Sequence, residues 1–161
     1  MTVIRDLAAG RWDRPIAKAE ETTATWRRTG ERFDLGNGLV WLAVVYARAG
    51  RLADSDAAMR EALELFRDAD SAMGIASVLQ GRTYVASWQG RHTDAVRLAG
   101  AAEALREQLG GRAPIDFLAA FIGDAEASSR AHLPPEVAER AFAAGRALSV
   151  DAAMALASGD P

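Results

Sequence analysis

The chain has 161 residues, half of them hydrophobic and 25% charged, with a formal net charge of −3 and no cysteine. That length suits one domain with a sizeable core, and the missing thiols exclude disulfides, thiolate metal sites and cysteine nucleophiles. The slight acidic excess lacks the basic field that a nucleic-acid surface needs.

The amino terminus meets charge at Arg5, so it has no signal-peptide apolar region, and no apolar run reaches the ~18 residues of a membrane span. The expectation is a cytoplasmic chain without membrane contact. Alanine is by far the commonest of its apolar residues. Alanine is the best helix former and the smallest residue with a side chain, which favours closely packed helices.

Repetition organises the chain. Gly-Arg recurs at Gly10-Arg11, Gly50-Arg51 and Gly90-Arg91, and Asp54 matches Asp94 in the same forty-residue register. Glycine after an apolar-periodic run marks a helix end, because it takes the left-handed conformation without a Cβ penalty. Each Gly-Arg therefore reads as the tight turn of a helical hairpin.

Taken in order, a truncated first hairpin covers about 2–29, with Pro15 tolerated in the first turn of its second helix. The next hairpin covers 32–69, as helices of about 32–49 and 52–69. Its stripes are Leu39, Leu42, Ala43 and Tyr46, then Leu52, Met59, Ala62, Leu63 and Phe66. A third covers 71–109, opened by Ser71 as a helix cap. After Gly110-Gly111 the register breaks. Helices of about 114–131 and 135–147, and a short one capped by Ser149 and ending at Ala157, are expected to close the stack. The fold class is all-α.

The segment Tyr46-Ala-Arg-Ala-Gly-Arg-Leu-Ala-Asp-Ser, with Met59, Ala62 and Leu63, resembles a tetratricopeptide repeat, although its units exceed the usual 34 residues. Two further stretches are Ala101-Ala-Glu-Ala-Leu-Arg-Glu-Gln-Leu-Gly110, followed by Pro114, and Ala141-Phe-Ala-Ala-Gly-Arg-Ala-Leu-Ser-Val-Asp-Ala-Ala-Met-Ala-Leu-Ala157. They are similar to the C-terminal helical region of actinobacterial ATPase-type (LuxR-type) transcriptional regulators. The resemblance implies hairpins stacked as a short right-handed superhelix with irregular C-terminal capping helices. It also implies a sensor or scaffold role, with protein, peptide or small-molecule effector as partner.

The resemblance further implies that the first helix of each hairpin lines a concave face. Placing Tyr46 at the repeat's aromatic position puts Asn37, Val40, Val44, Ala47 and Arg48 there, followed by Ser77, Gln80, Tyr84, Ser87 and Trp88. Among these, Asn37, Arg48, Gln80, Tyr84 and Trp88 are the candidate ligand- or peptide-binding residues, with Arg48 as anion partner and the aromatics as anchors. Only Asn37 and Arg48 match the family's clamp for acidic peptide tails. Trp12, Trp26 and Trp41 read as core or hairpin-packing residues, with Trp41 within reach of the groove rim.

Catalytic signatures are sparse. Lys18 has no glycine companion or following hydroxyl, so no phosphate loop is present, and no metal-ligand spacing appears. His92 and His132 fall on expected loops without a nearby serine nucleophile. Asp68 and Asp70 read as a solvated helix end, and Arg27, Arg28 and Arg32 as a solvated basic cluster diluted by Glu31 and Asp34. The expectation is therefore a non-catalytic module without cofactor or metal. The alternatives are an assembly element that dimerises through apolar end faces, and a helical-bundle enzyme around His132, Asp124 and Glu126.

Overall fold

The computed structural model describes residues 6, 9–111 and 124–158. Among them are eight α-helices and no strand: α1 (Asp13–Thr29), α2 (Arg32–Arg48), α3 (Leu52–Asp68), α4 (Ala72–Trp88), α5 (His92–Gln108), α6 (Ala125–Arg130), α7 (Pro135–Arg146) and α8 (Val150–Ser158). No described helix is long and apolar enough to cross a membrane.

The structural beat is twenty residues, half the period of the Gly-Arg motif. Helices α1 to α5 each contain 17 residues. Each of these five helices is followed by a turn residue with positive φ: Gly30, Gly50, Asp70, Gly90 and Gly110, and Gly10 ahead of α1 does the same. The next amide in each case donates to the carbonyl five residues back. The pairs are Arg11 to Asp6, Glu31 to Trp26, Arg51 to Tyr46, Ser71 to Phe66, Arg91 to Ala86 and Gly111 to Arg106, at 2.8–3.1 Å. This bond closes a helix by satisfying a carbonyl that the last turn leaves free.

The recurrent Arg and Asp start the following helix. Arg51 reaches Asp54 at 2.7 Å and Arg91 reaches Asp94 at 3.2 Å, which places a carboxylate at the positive end of α3 and of α5. Where the turn lacks arginine, Ser71 caps α4 by accepting from the Gly74 amide at 3.1 Å.

Helix α2 pairs with α3 and α4 pairs with α5, and α4 also packs on both α2 and α3. Phe66, only 1% exposed, fills the junction between Gly36 of α2 and Gly74 of α4, where an added Cβ would overlap its ring. The expected stripes are buried, except that Leu52 is 43% exposed at the first position of α3.

Helix α4 is the most enclosed element. From Gly74 to Ser87 only Gln80 escapes full burial, because α2, α3, α5, α6 and α8 surround it. A helix covered on all sides loses the polar face that makes amphipathic period visible.

The C-terminal helices close over this centre. Helix α7 lies along α5, with α6 against α4 and α5, and α8 against α3, α4 and α5. Of the expected 114–131 helix, residues 112–123 lie outside the described set and α6 falls within the rest; residues 1–5, 7 and 8 of the first hairpin also lie outside. Pro134 caps α7 and Ser149 caps α8, its Oγ accepting from the Ala152 amide at 3.2 Å.

Of the truncated first unit, whose end face is expected to be apolar, α1 presents a polar solvent side. That side carries Asp13, Arg14, Lys18, Glu21, Thr25 and Arg28, all exposed. The basic cluster is partly neutralised, Arg27 by Glu61 at 2.6 Å and Arg32 by Asp68 at 3.5 Å.

Candidate functional site

Arg48 ends α2 and Trp88 ends α4, so both stand two residues ahead of a Gly-Arg motif and lie at the same end of neighbouring helices. The third member is Trp12, which immediately precedes α1 after the first Gly-Arg turn. The guanidinium carbon of Arg48 lies 4.8 Å from the Trp88 ring centre and 5.5 Å from that of Trp12. Both distances are within cation–π range.

Arg48 is exposed and has no carboxylate partner in the described structure, whereas ten other arginines do. The two indoles fix the position of the guanidinium, and among the described residues its hydrogen-bonding fork has no acceptor. A guanidinium held this way suits a carboxylate that is followed by an apolar or aromatic group.

Of the other candidate residues, Asn37 and Gln80 are partly exposed. Asn37, Trp41 and Arg48, four and seven residues apart, share one face of α2. Tyr84 is 3% exposed, with its ring 5.8 Å from that of Trp88, so it supports Trp88 from below and does not stand on the open surface. Burial holds its phenol above the ordinary range, and the Asp124 carboxylate adds to that effect.

Four expected groove positions are closed. Val40, Val44, Ser77 and Ser87 are all buried. Val40 faces Gly81 on α4, which lets the two helices approach until no Cβ would fit. Ser87 is covered by α6, where Ser129 Oγ lies 2.9 Å from its own hydroxyl. Trp12 was missed as a site residue. The forty-residue register that aligns Gly10 with Gly50 and Gly90 also aligns Trp12 with the first positions of α3 and α5, and so marked its end of the stack.

The histidines are not separate solvated loop residues. His92 is the first residue of α5 and His132 follows α6, and their rings stack at 4.2 Å and 10°. His92 Nδ1 lies 3.3 Å from Ser129 Oγ, and His132 Nδ1 donates to the Ser128 carbonyl at 2.8 Å. Ser129 has no exposed surface, so its hydroxyl joins α6 to α4 and α5 but cannot meet a substrate.

The carboxylates grouped with His132 in the enzyme alternative have other partners. Asp124 accepts from the Ala127 amide at 3.0 Å, and Glu126 pairs with Arg130 at 2.8 Å. Among the described residues no group of three or more histidines or carboxylates is placed to hold a metal ion. No known protein family, curated protein or solved structure matches the chain.

Proposed function

We propose that this chain is a non-catalytic binding module of tetratricopeptide type that recognises a protein or peptide segment at the end of the helices where Arg48 of α2 and Trp88 of α4 meet Trp12. The observation that carries the reading is Arg48, held between Trp12 and Trp88 with no carboxylate partner among the described residues. The ligand chemistry that fits is a carboxylate beside an aromatic or large aliphatic side chain. The acid meets Arg48 and the apolar group meets the indoles. A small effector with the same two groups is accommodated by the same chemistry. Helices of equal length repeating every twenty residues support the repeat assignment. The resemblance to helical regions of ATPase-type transcriptional regulators makes a regulatory or scaffold role the natural setting.

The test is fluorescence anisotropy with a panel of labelled nonapeptides in which a single glutamate or aspartate flanks Phe, Leu or Ser. Acid–aromatic members should bind, and Arg48→Ala should weaken them at least ~10-fold, about 1.4 kcal/mol. Arg48→Lys should restore only part of that loss, because an ammonium cannot reproduce the planar fork. Equal binding by Arg48→Ala, or no preference for the acidic peptides, removes the basis of the reading.

A further inference from the structure

A cleft of about 290 Å³ lies between α4, α5 and the start of α6. Its apolar lining consists of alanine methyls from the three helices, Ala76, Ala99, Ala102 and Ala125 among them. Its polar lining is unevenly charged: Glu103, Asp124 and Glu126 against Arg106. Glu103 is paired with Arg106, and Glu126 with Arg130. Asp124 uses one oxygen to accept the Ala127 amide and forms no ion pair in the described structure. Its charge is therefore the unbalanced one in the cleft.

Two neutral groups add direction. Tyr84 lines the cleft with 3% of its surface exposed, and its hydroxyl has no hydrogen-bond partner among the described residues. The hydroxyl is not fully enclosed, so it is open to a group bound in the cleft. Burial and the neighbouring Asp124 keep that phenol protonated, so it can donate as well as accept. The Gln80 amide lines the same cleft and makes no side-chain hydrogen bond among the described residues. The volume is at the small end of those that hold organic ligands.

We infer that this cleft is a binding site for a small, flat organic cation of the amidinium, guanidinium or aromatic-amine class. Asp124 takes the charge, Tyr84 and Gln80 fix the orientation, and the alanine methyls cover the faces of the ring. The site is distinct from the Arg48 clamp, which selects the opposite charge, and it stands whether or not the clamp binds peptides.

Benzamidine is the probe and benzamide, of the same shape without the charge, its control. Both are titrated into the full chain by isothermal calorimetry, with backbone amide shifts recorded in parallel. The expected result is saturable benzamidine binding that moves the amides of Gln80, Ala102 and Ala125, at least tenfold tighter than benzamide. Asp124→Asn should weaken it about tenfold while keeping the helix cap, since asparagine caps as well as aspartate. Tyr84→Phe should weaken it severalfold, and Lys18→Ala, on the exposed side of α1, should leave it unchanged. Equal affinity for the two compounds, full affinity in Asp124→Asn, or no binding at millimolar benzamidine would each overturn the assignment.

Discussion

The backbone of Gly145 on α7 lies directly against the carbonyl of Arg97 on α5, with no room for a β-carbon between them. Gly100 of α5 meets the Phe142 carbonyl in the same way, so the two helices touch backbone to backbone at reciprocal points. Arg146, next to Gly145, then reaches Glu107 at 2.7 Å.

Gly145→Ala brings two effects of opposite sign. Alanine favours the helix by about 1 kcal/mol over glycine, while overpacking against a rigid backbone costs about 1–3 kcal/mol or more. Because the obstacle is main chain, the second effect should win. The expected outcome is a lower urea midpoint, with faster amide exchange across α7 than across α2. A stabilised Gly145→Ala would show that the helices do not make this contact.

Asp70 is the only non-glycine residue with positive φ among those described, at 49°. It occupies a position that Gly10, Gly30, Gly50, Gly90 and Gly110 fill elsewhere in the twenty-residue beat. A side chain in this conformation costs roughly 1–2 kcal/mol, less for aspartate and asparagine. Asp70→Gly should therefore be neutral to stabilising by up to about 1 kcal/mol, read as a raised Tm. Gly50→Ala should destabilise by about 1 kcal/mol.

Arg82 is buried on α4, and its one acceptor among the described residues is Asp56 on α3, whose side chain is 45% exposed. Arg82 Nε and Nη2 are buried without partners. Breaking such a pair from the acid side strands a charge, whereas replacing the arginine by an apolar residue of similar length removes the desolvation cost. Asp56→Ala should destabilise by about 2–3 kcal/mol, while Arg82→Met should be neutral or stabilising. Equal losses in the two variants, by chemical denaturation, would mean that the ion pair itself contributes the stability.

Tyr46 donates its phenolic O–H to Glu20 Oε1 at 2.6 Å. Burial, reinforced by this hydrogen bond, pushes its pKa up to about 12. The folded state thus favours the protonated phenol. Its contribution is fully present below the unfolded value near 10 and is lost as pH rises through about 12. Unfolding midpoints should fall between pH 10 and 12, and Tyr46→Phe should flatten that limb. An unchanged alkaline limb in Tyr46→Phe would assign the loss to other groups.

Local chemistry alone determined much of this protein. Gly10, Gly50 and Gly90 announced left-handed turns, Ser71 and Ser149 announced caps, and alanine content with helical spacing announced an all-α chain. These features are legible because a cap or a turn depends on a few adjacent residues. Gly30 and Gly110 carried the twenty-residue beat just as openly, but Asp70 interrupted it and left the forty-residue Gly-Arg motif as the visible repeat.

The tertiary structure decided what depends on distant partners. Whether Val40 lines a groove or a helix contact turns on Gly81, which let α4 move in and close that position. Tyr84 and Trp88 have equal aromatic potential in sequence, but α6 covers the first and leaves the second beside Arg48. His92 and His132, read as isolated loop residues, meet only because the α6–α7 turn folds back onto the start of α5. Trp12 joins Arg48 because the turns at one end of the stack converge, a proximity that helix periodicity does not encode. Local signals set the helix lengths and ends, and the depth to which each face is buried follows from how closely neighbouring backbones can approach.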